Sequence, residues 1–180
     1  MKQLLAAISL LIFTVTIEAA SVETRDPYVH FFDQFFGDLQ EELANAKEEG
    51  KKGVLIFFEM DECPFCHRMK RTVLNRPEVQ KFFKENMLSF AIDIEGDVEM
   101  VDFKGETMSQ KDFSFKVNRV RATPVIAFYD LQGEQVVRYT GATSGPDEFL
   151  WMGEYFVDGH YQKQSFTRYK REKRKASKNR

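Results

Sequence analysis

The sequence predicts an α/β domain with a mixed central sheet flanked by helices, and three observations carry that prediction. Helix-like and strand-like patterns alternate along the chain. An almost wholly apolar run, Val54 to Met60, reads as a strand covered on both faces. Two later strand patterns, Val125 to Tyr129 and Glu134 to Tyr139, are separated only by a turn at Asp130 to Gly133. Helices between the early strands imply parallel pairing and the short glycine turn implies an antiparallel hairpin, so one sheet holds both.

Each element has its own signal. Asp26-Pro27 reads as an N-cap followed by proline at the first helical position. Phe31, Phe32, Phe35, Phe36, Leu39 and Leu43 then recur at helical spacing, which predicts one amphipathic helix ending at Gly50 with its phenylalanine stripe in the core. Gly53 opens the first strand. A helix follows from Pro64, with Met69, Val73 and Leu74 inward; Asn75-Arg76-Pro77 breaks it, and a second stretch runs from Glu78 to Asn86. Leu88 to Ile94 is the next strand. The acidic segment from Glu95 to Met108 is turn-rich, with a short strand at Val98 to Phe103 and a turn at Lys104-Gly105. Ser109 and Asp112 form a capping-box-like pair before a short helix through Val117. Gly141 and Pro146 introduce the last helix, containing Phe149, Leu150, Met152 and Phe156. Four of the five prolines stand where helices begin; Pro124, at the entrance to the Val125 strand, does not.

Composition sets the class. With 43% hydrophobic residues and eighteen phenylalanines in 180 residues, the chain can bury a real core and is not disordered. The net charge of −2 hides an asymmetry: residues 168 to 180 sum to +7 and the rest to −9. Met1-Lys2, the apolar stretch Leu4 to Ile17 and the small residues Ala19, Ala20 and Ser21 resemble a secretory signal peptide. A membrane anchor would need about twenty apolar residues, and Glu18 ends the run sooner. The expected organisation is a signal over 1–21, a domain over 26–160 and a basic, flexible, solvated tail over 161–180 that makes at most weak contact with anionic surfaces. Export, most simply to a periplasm, argues against nucleic acid as a partner.

The chemistry centres on Glu62-Cys63-Pro64-Phe65-Cys66-His67, which holds the only two cysteines. Two thiols two residues apart at a helix start can close and reopen a disulfide. There the unpaired N–H groups and the helix dipole lower the pKa of the first thiol below its free value of about 8.5. Cys63 is therefore the candidate nucleophile and Cys66 the resolving thiol. As a purely structural staple, so short a loop would contribute only about 2 kcal/mol. Zinc needs four ligands, and the other soft ligands are His30, His67 and His160, without a second close pair. The C-x-x-C-H pattern also fits covalent haem attachment with His67 as axial ligand, which stands as an alternative.

Cys-x-x-Cys after a buried strand, with Thr123-Pro124 before another strand about sixty residues later, resembles the thioredoxin superfamily. The resemblance covers roughly residues 50 to 157. Through Phe58-Glu59-Met60-Asp61-Glu62-Cys63-Pro64-Phe65-Cys66, Gly105-Glu106-Thr107-Met108-Ser109 and Thr123-Pro124 it is nearest to exported SoxW-like thioredoxins. It implies a thioredoxin-like fold and thiol–disulfide exchange with protein disulfide or dithiol partners, without a cofactor or metal. It also implies a redox-recycling partner, membrane-bound or soluble, and a monomeric chain. Cys63 and Cys66 would be catalytic, with Thr123, Pro124 and Phe65 contacting substrate from a cis-proline loop. Reducing and oxidising relatives share a proline after the first cysteine; the expectation is a reductase, with a non-catalytic thioredoxin-like adaptor as the other alternative. Two departures bear on the proton path. Glu62 replaces the tryptophan found before the first cysteine in many thioredoxins, and Phe57 occupies the position of their buried aspartate. Glu59 is the nearest substitute, although Glu59 and Glu62 read most simply as solvated acids at the strand end. His67, if cationic, would stabilise the Cys63 thiolate; an ordinary half-exposed histidine fits as well.

Overall fold

A computed structural model describes residues 23–178; the signal-peptide reading of 1–21 lies outside them. The central sheet has the order β2-β1-β5-β6, built from β1 (Val54–Glu59), β2 (Leu88–Asp93), β5 (Val125–Tyr129) and β6 (Gln135–Thr140). β1 pairs parallel to β2 and antiparallel to β5, and β6 runs antiparallel to β5, so the sheet is mixed as predicted.

Every residue of β1 is buried. Leu55 and Phe57 face one core with Phe83, Phe128, Phe149 and Phe156, while Val54, Ile56 and Phe58 face another with Leu39, Phe90 and Phe113. A strand with no solvent face cannot alternate polar and apolar residues, hence the unbroken apolar run. Gly53 admits it: a Cβ there would lie 2.1 Å from the Tyr129 carbonyl oxygen and 2.8 Å from the Phe156 ring.

The single N-terminal helix expected over 26–50 is two: α1 (Pro27–His30), capped by Asp26, and α2 (Leu39–Glu48), capped by Asp38. Between them the chain passes the β2 edge, where the Asp33 N–H donates to Ser89 O (2.7 Å) and Asp33 Oδ2 accepts the Ser89 N–H (2.8 Å). Phe31 and Phe32 join the first core, whereas Leu39 and Leu43 join the second. The helical spacing therefore spanned two layers that no single helix can touch. Phe36, expected inside, is 76% exposed.

Helices α3 (Pro64–Thr72) and α4 (Pro77–Asn86) each start on the expected proline. The acidic segment forms a separate hairpin of β3 (Glu99–Val101) and β4 (Thr107–Ser109), turned by Gly105 at φ +85° and pinned by Asp102 Oδ1, which accepts the N–H groups of Lys104 and Glu106. Ser109 caps α5 (Gln110–Asp112), which continues as a π-helical turn over Phe113–Val117. Helix α6 (Pro146–Val157) crosses α4, with Gly153 against the Phe82 and Phe83 rings.

The basic tail is helical over 166–178, and from Arg171 on its residues are exposed except Lys173. It forms helix α7 (Phe166–Lys178), and α6 is not the last helix. Phe166 and Tyr169, three residues apart, share a face that packs on Tyr155, with ring centroids 5.4 Å away in both cases. Glu148 of α6, only 3% exposed, pairs with Lys170 at 2.6 Å and Arg174 at 3.1 Å. A buried carboxylate needs such partners, so part of the tail's excess charge serves the fold. Burial alone would raise the Glu148 pKa; the Lys170 hydrogen bond first, then those of Ser144 and Tyr139, outweigh it and hold the carboxyl down at about 2.

Two outcomes follow from this packing. Gly53→Ala should destabilise the fold by about 3 kcal/mol in urea unfolding, because the strand cannot move away from Tyr129 without losing the sheet. Glu148 has a depressed folded-state pKa, so its contribution is complete above about 4.5 and disappears as pH falls toward 2. Glu148→Gln should lower stability at pH 7 by about 2 kcal/mol and flatten the loss between those pH values, read from acid titration of the far-UV circular dichroism.

Candidate active site

Strand β1 ends at Glu59, and a tight turn delivers Cys63 as the N-cap of α3 with extended backbone (φ −106°, ψ 99°). Pro64 at the first helical position needs no N–H partner, so the sequence starts the helix at this point. Cys63 and Cys66 are joined as a disulfide with Cα atoms 5.2 Å apart. The Cys66 N–H donates to Cys63 Sγ at 3.0 Å. That contact and the helix N-terminus both favour negative charge on the Cys63 sulfur once the bond opens.

Cys66 is fully buried and Cys63 keeps 2% exposure, while Phe65 between them is 58% exposed. Thr123-Pro124 is a cis peptide. Because Phe58 pairs with Val125, the loop carrying Pro124 leaves the sheet at the same end as the turn carrying Cys63. The Pro124 carbonyl accepts the Gly141 N–H at 2.8 Å, and among the described residues the Thr123 peptide N–H and C=O have no hydrogen-bond partner. Two residues earlier, Arg121 stacks 3.3 Å over the exposed Phe115 ring.

Glu59 is not a solvated acid. It is buried, pairs with Lys70 at 2.7 Å and accepts from Tyr28 Oη at 2.9 Å, while Lys70 Nζ donates to the same hydroxyl at 2.6 Å. Burial lowers the Lys70 pKa, but the hydrogen bonds to Glu59 and Tyr28 outweigh it and leave the ammonium more basic than usual. The cluster ties the end of β1 to α3 and α1. The helical spacing of α3 puts Lys70 on its solvent side with Arg68 and Arg71, whereas Glu59 draws it into the cluster; Tyr28, thirty-one residues before Glu59, offered no signal. Glu62 is exposed, as read, and stands apart from the cluster. His67 is exposed and its Nε2–H donates to the Asp61 carbonyl at 2.8 Å, which braces the turn.

Covalent haem does not fit these residues. Both sulfurs are packed into the first core, and the His67 nitrogen that would face a metal is bonded to the turn. Among the described residues no three His, Cys, Asp or Glu side chains converge as a metal site, and no helix is long and apolar enough to cross a membrane.

Solved structures are similar to this fold. A thioredoxin-fold protein from Helicobacter pylori is 25% identical, with a TM-score of 0.58 over 71% of this chain and 82% of its own. DsbH oxidoreductase is 17% identical, with a TM-score of 0.53 over 84% and 95%. A putative disulphide-isomerase from Bacteroides thetaiotaomicron is 23% identical, with a TM-score of 0.51 over 71% and 95%. No curated protein matches the chain. Residues 39–157, which run from α2 through both cysteines and the cis-proline to the end of α6, match the family model for the thioredoxin-like domain, and the chain belongs to that family.

Proposed function

We propose that this protein is an exported thiol–disulfide oxidoreductase that reduces disulfides in protein partners. The observation that carries the reading is the Cys63–Cys66 pair at the start of α3, with the Cys66 N–H aimed at the Cys63 sulfur. In the reduced protein the Cys63 thiolate attacks one sulfur of a substrate disulfide, forming a mixed disulfide and expelling a thiolate that takes up a proton. Cys66, as its thiolate, then attacks Cys63 Sγ, re-forming the intramolecular bond and releasing the second substrate thiolate. Two electrons pass to the substrate, and a dithiol partner returns them by the same exchange.

The unpaired Thr123 peptide groups suit an extended substrate backbone, and exposed Phe65 suits an apolar side chain beside it. Glu59, locked to α3 through Lys70, is the group proposed to tune proton transfer at the pair, and protonated His67 would add positive charge to the first turn. The N-terminal pattern of residues 1–21 supports export, where a disulfide persists against cellular reductants. The stretch Phe58 to Cys66 supports a SoxW-like subtype. One observation favours a second reading, a non-catalytic adaptor: Cys63 is only 2% exposed when oxidised.

Equilibration with defined thiol–disulfide buffers should give a reduction potential of about −270 mV for the pair; about −120 mV would make the protein an oxidant instead. Cys66→Ser should accumulate mixed disulfides with protein partners, resolved on non-reducing gels, and the further change Cys63→Ser should abolish them. Absence of any trapped species, together with slow alkylation of reduced Cys63 by iodoacetamide, would replace the enzyme with the adaptor.

A further inference from the structure

A concavity of about 420 Å³ opens away from the disulfide, within the size range of small-molecule sites. It is lined by the β3–β4 turn, the end of the π-helical turn and the β5–β6 hairpin. Tyr129 closes β5 at the end opposite Pro124, about 13 Å along the strand from Val125.

Three aromatic rings supply an apolar wall: Phe103 lies 4.4 Å from Tyr129 and 6.4 Å from Phe113 between ring centroids. Beneath them is a closed polar network. Tyr129 Oη donates to Asn118 Oδ1, Gln135 Nε2 donates to both of those oxygens, and Asn118 Nδ2 donates to Phe113 O. Burial pushes the Tyr129 pKa upward, so the hydroxyl stays neutral. A satisfied floor of this kind is rigid.

The rim carries the unspent charge. Lys104, Arg119 and Arg138 line the cavity, and among the described residues none has a carboxylate within ion-pair distance. Arg138 spends one guanidinium nitrogen on Asn118 O, at 2.8 Å. Of the two lining acids, Asp102 is buried and accepts the N–H groups of its own turn, which leaves Glu134 as the exposed one. Arg119 is also held at φ +51°, among the described residues the one non-glycine position with positive φ. A side chain there costs on the order of 1 kcal/mol, although Arg119 is exposed and takes no part in the core. This left-handed residue ends the π-helical turn, where the Val120 N–H returns to Ser114 O at 2.9 Å, and so sets Arg119 at the cavity mouth.

We propose that this cavity binds a small organic anion, a carboxylate or comparable oxyanion on a flat apolar body. The body stacks on the Phe103–Tyr129 wall and the oxyanion lies between Lys104, Arg119 and the free nitrogens of Arg138. Guanidinium groups match oxyanions with paired donors. The site is independent of disulfide exchange and stands whether or not the proposed redox function does.

The test uses two fluorescent probes, the anion 8-anilinonaphthalene-1-sulfonate and its neutral analogue N-phenyl-1-naphthylamine, titrated into the full chain. The anion should bind saturably at one site and shift the backbone amide resonances of Asn118, Tyr129 and Gln135, and the neutral analogue should bind about ten-fold more weakly. The double variant Lys104→Gln/Arg119→Gln changes only exposed side chains without ion-pair partners, so it should fold normally and lose at least about ten-fold in affinity for the anion. Lack of saturation by about 1 mM, equal affinity for both probes, unchanged affinity in the variant, or resonance shifts centred elsewhere, such as at exposed Phe36, would each overturn the proposal.

Discussion

Strand β1 has no face in water, and that condition organises the molecule. Covering Leu55 and Phe57 requires α4 and α6 on one side, while covering Val54, Ile56 and Phe58 requires α2 and the β3–β4 segment on the other. Each of these large side chains contributes on the order of 2 kcal/mol when fully buried, so neither layer is dispensable. Because β1 is central and wholly buried, its end is a fixed platform. Cys63 stands four residues beyond it, at the start of a helix that Met69, Val73 and Leu74 anchor in the first core. The position of the sulfur pair is therefore set by core packing rather than by the turn that carries it.

Two buried carboxylates complete that platform from opposite ends of the chain. Glu59 draws Lys70 of α3 and Tyr28 of α1 to the end of β1, and Glu148 draws Lys170 and Arg174 of α7 onto α6. An unpaired buried charge is far more costly than a paired one is favourable, so each cluster acts chiefly to specify where a remote segment must lie. Terminal segments that look dispensable in composition are in this way tied to the layer beside the redox pair.

Much of the architecture was legible because local and global preferences agree. The apolar run of β1, the prolines at four helix starts, the Ser109 cap and the glycine turn of the β5–β6 hairpin each have a short-range physical cause. Failures occurred where spacing repeats across a layer change. Phe31, Phe32, Leu39 and Leu43 keep helical periodicity, yet the chain crosses the β2 edge between them, and a periodic pattern carries no information about which core a residue enters. The basic tail is solvated over most of its length, yet its helix is placed by Tyr155 and Glu148, partners that charge density does not reveal.

The sequence by itself determined the strand–Cys-x-x-Cys–helix unit, the later Thr123-Pro124 landmark and hence the thioredoxin-like class, because these depend on contiguous residues. Only the tertiary structure decided that Glu59 is an ion-paired, buried group, that Tyr28 and Lys70 belong to it, that Arg119 and Lys104 face one cavity, and that the tail is a docked helix. Those facts join residues tens of positions apart, and the energy that holds them comes from desolvating charges beside particular partners, which no local pattern records.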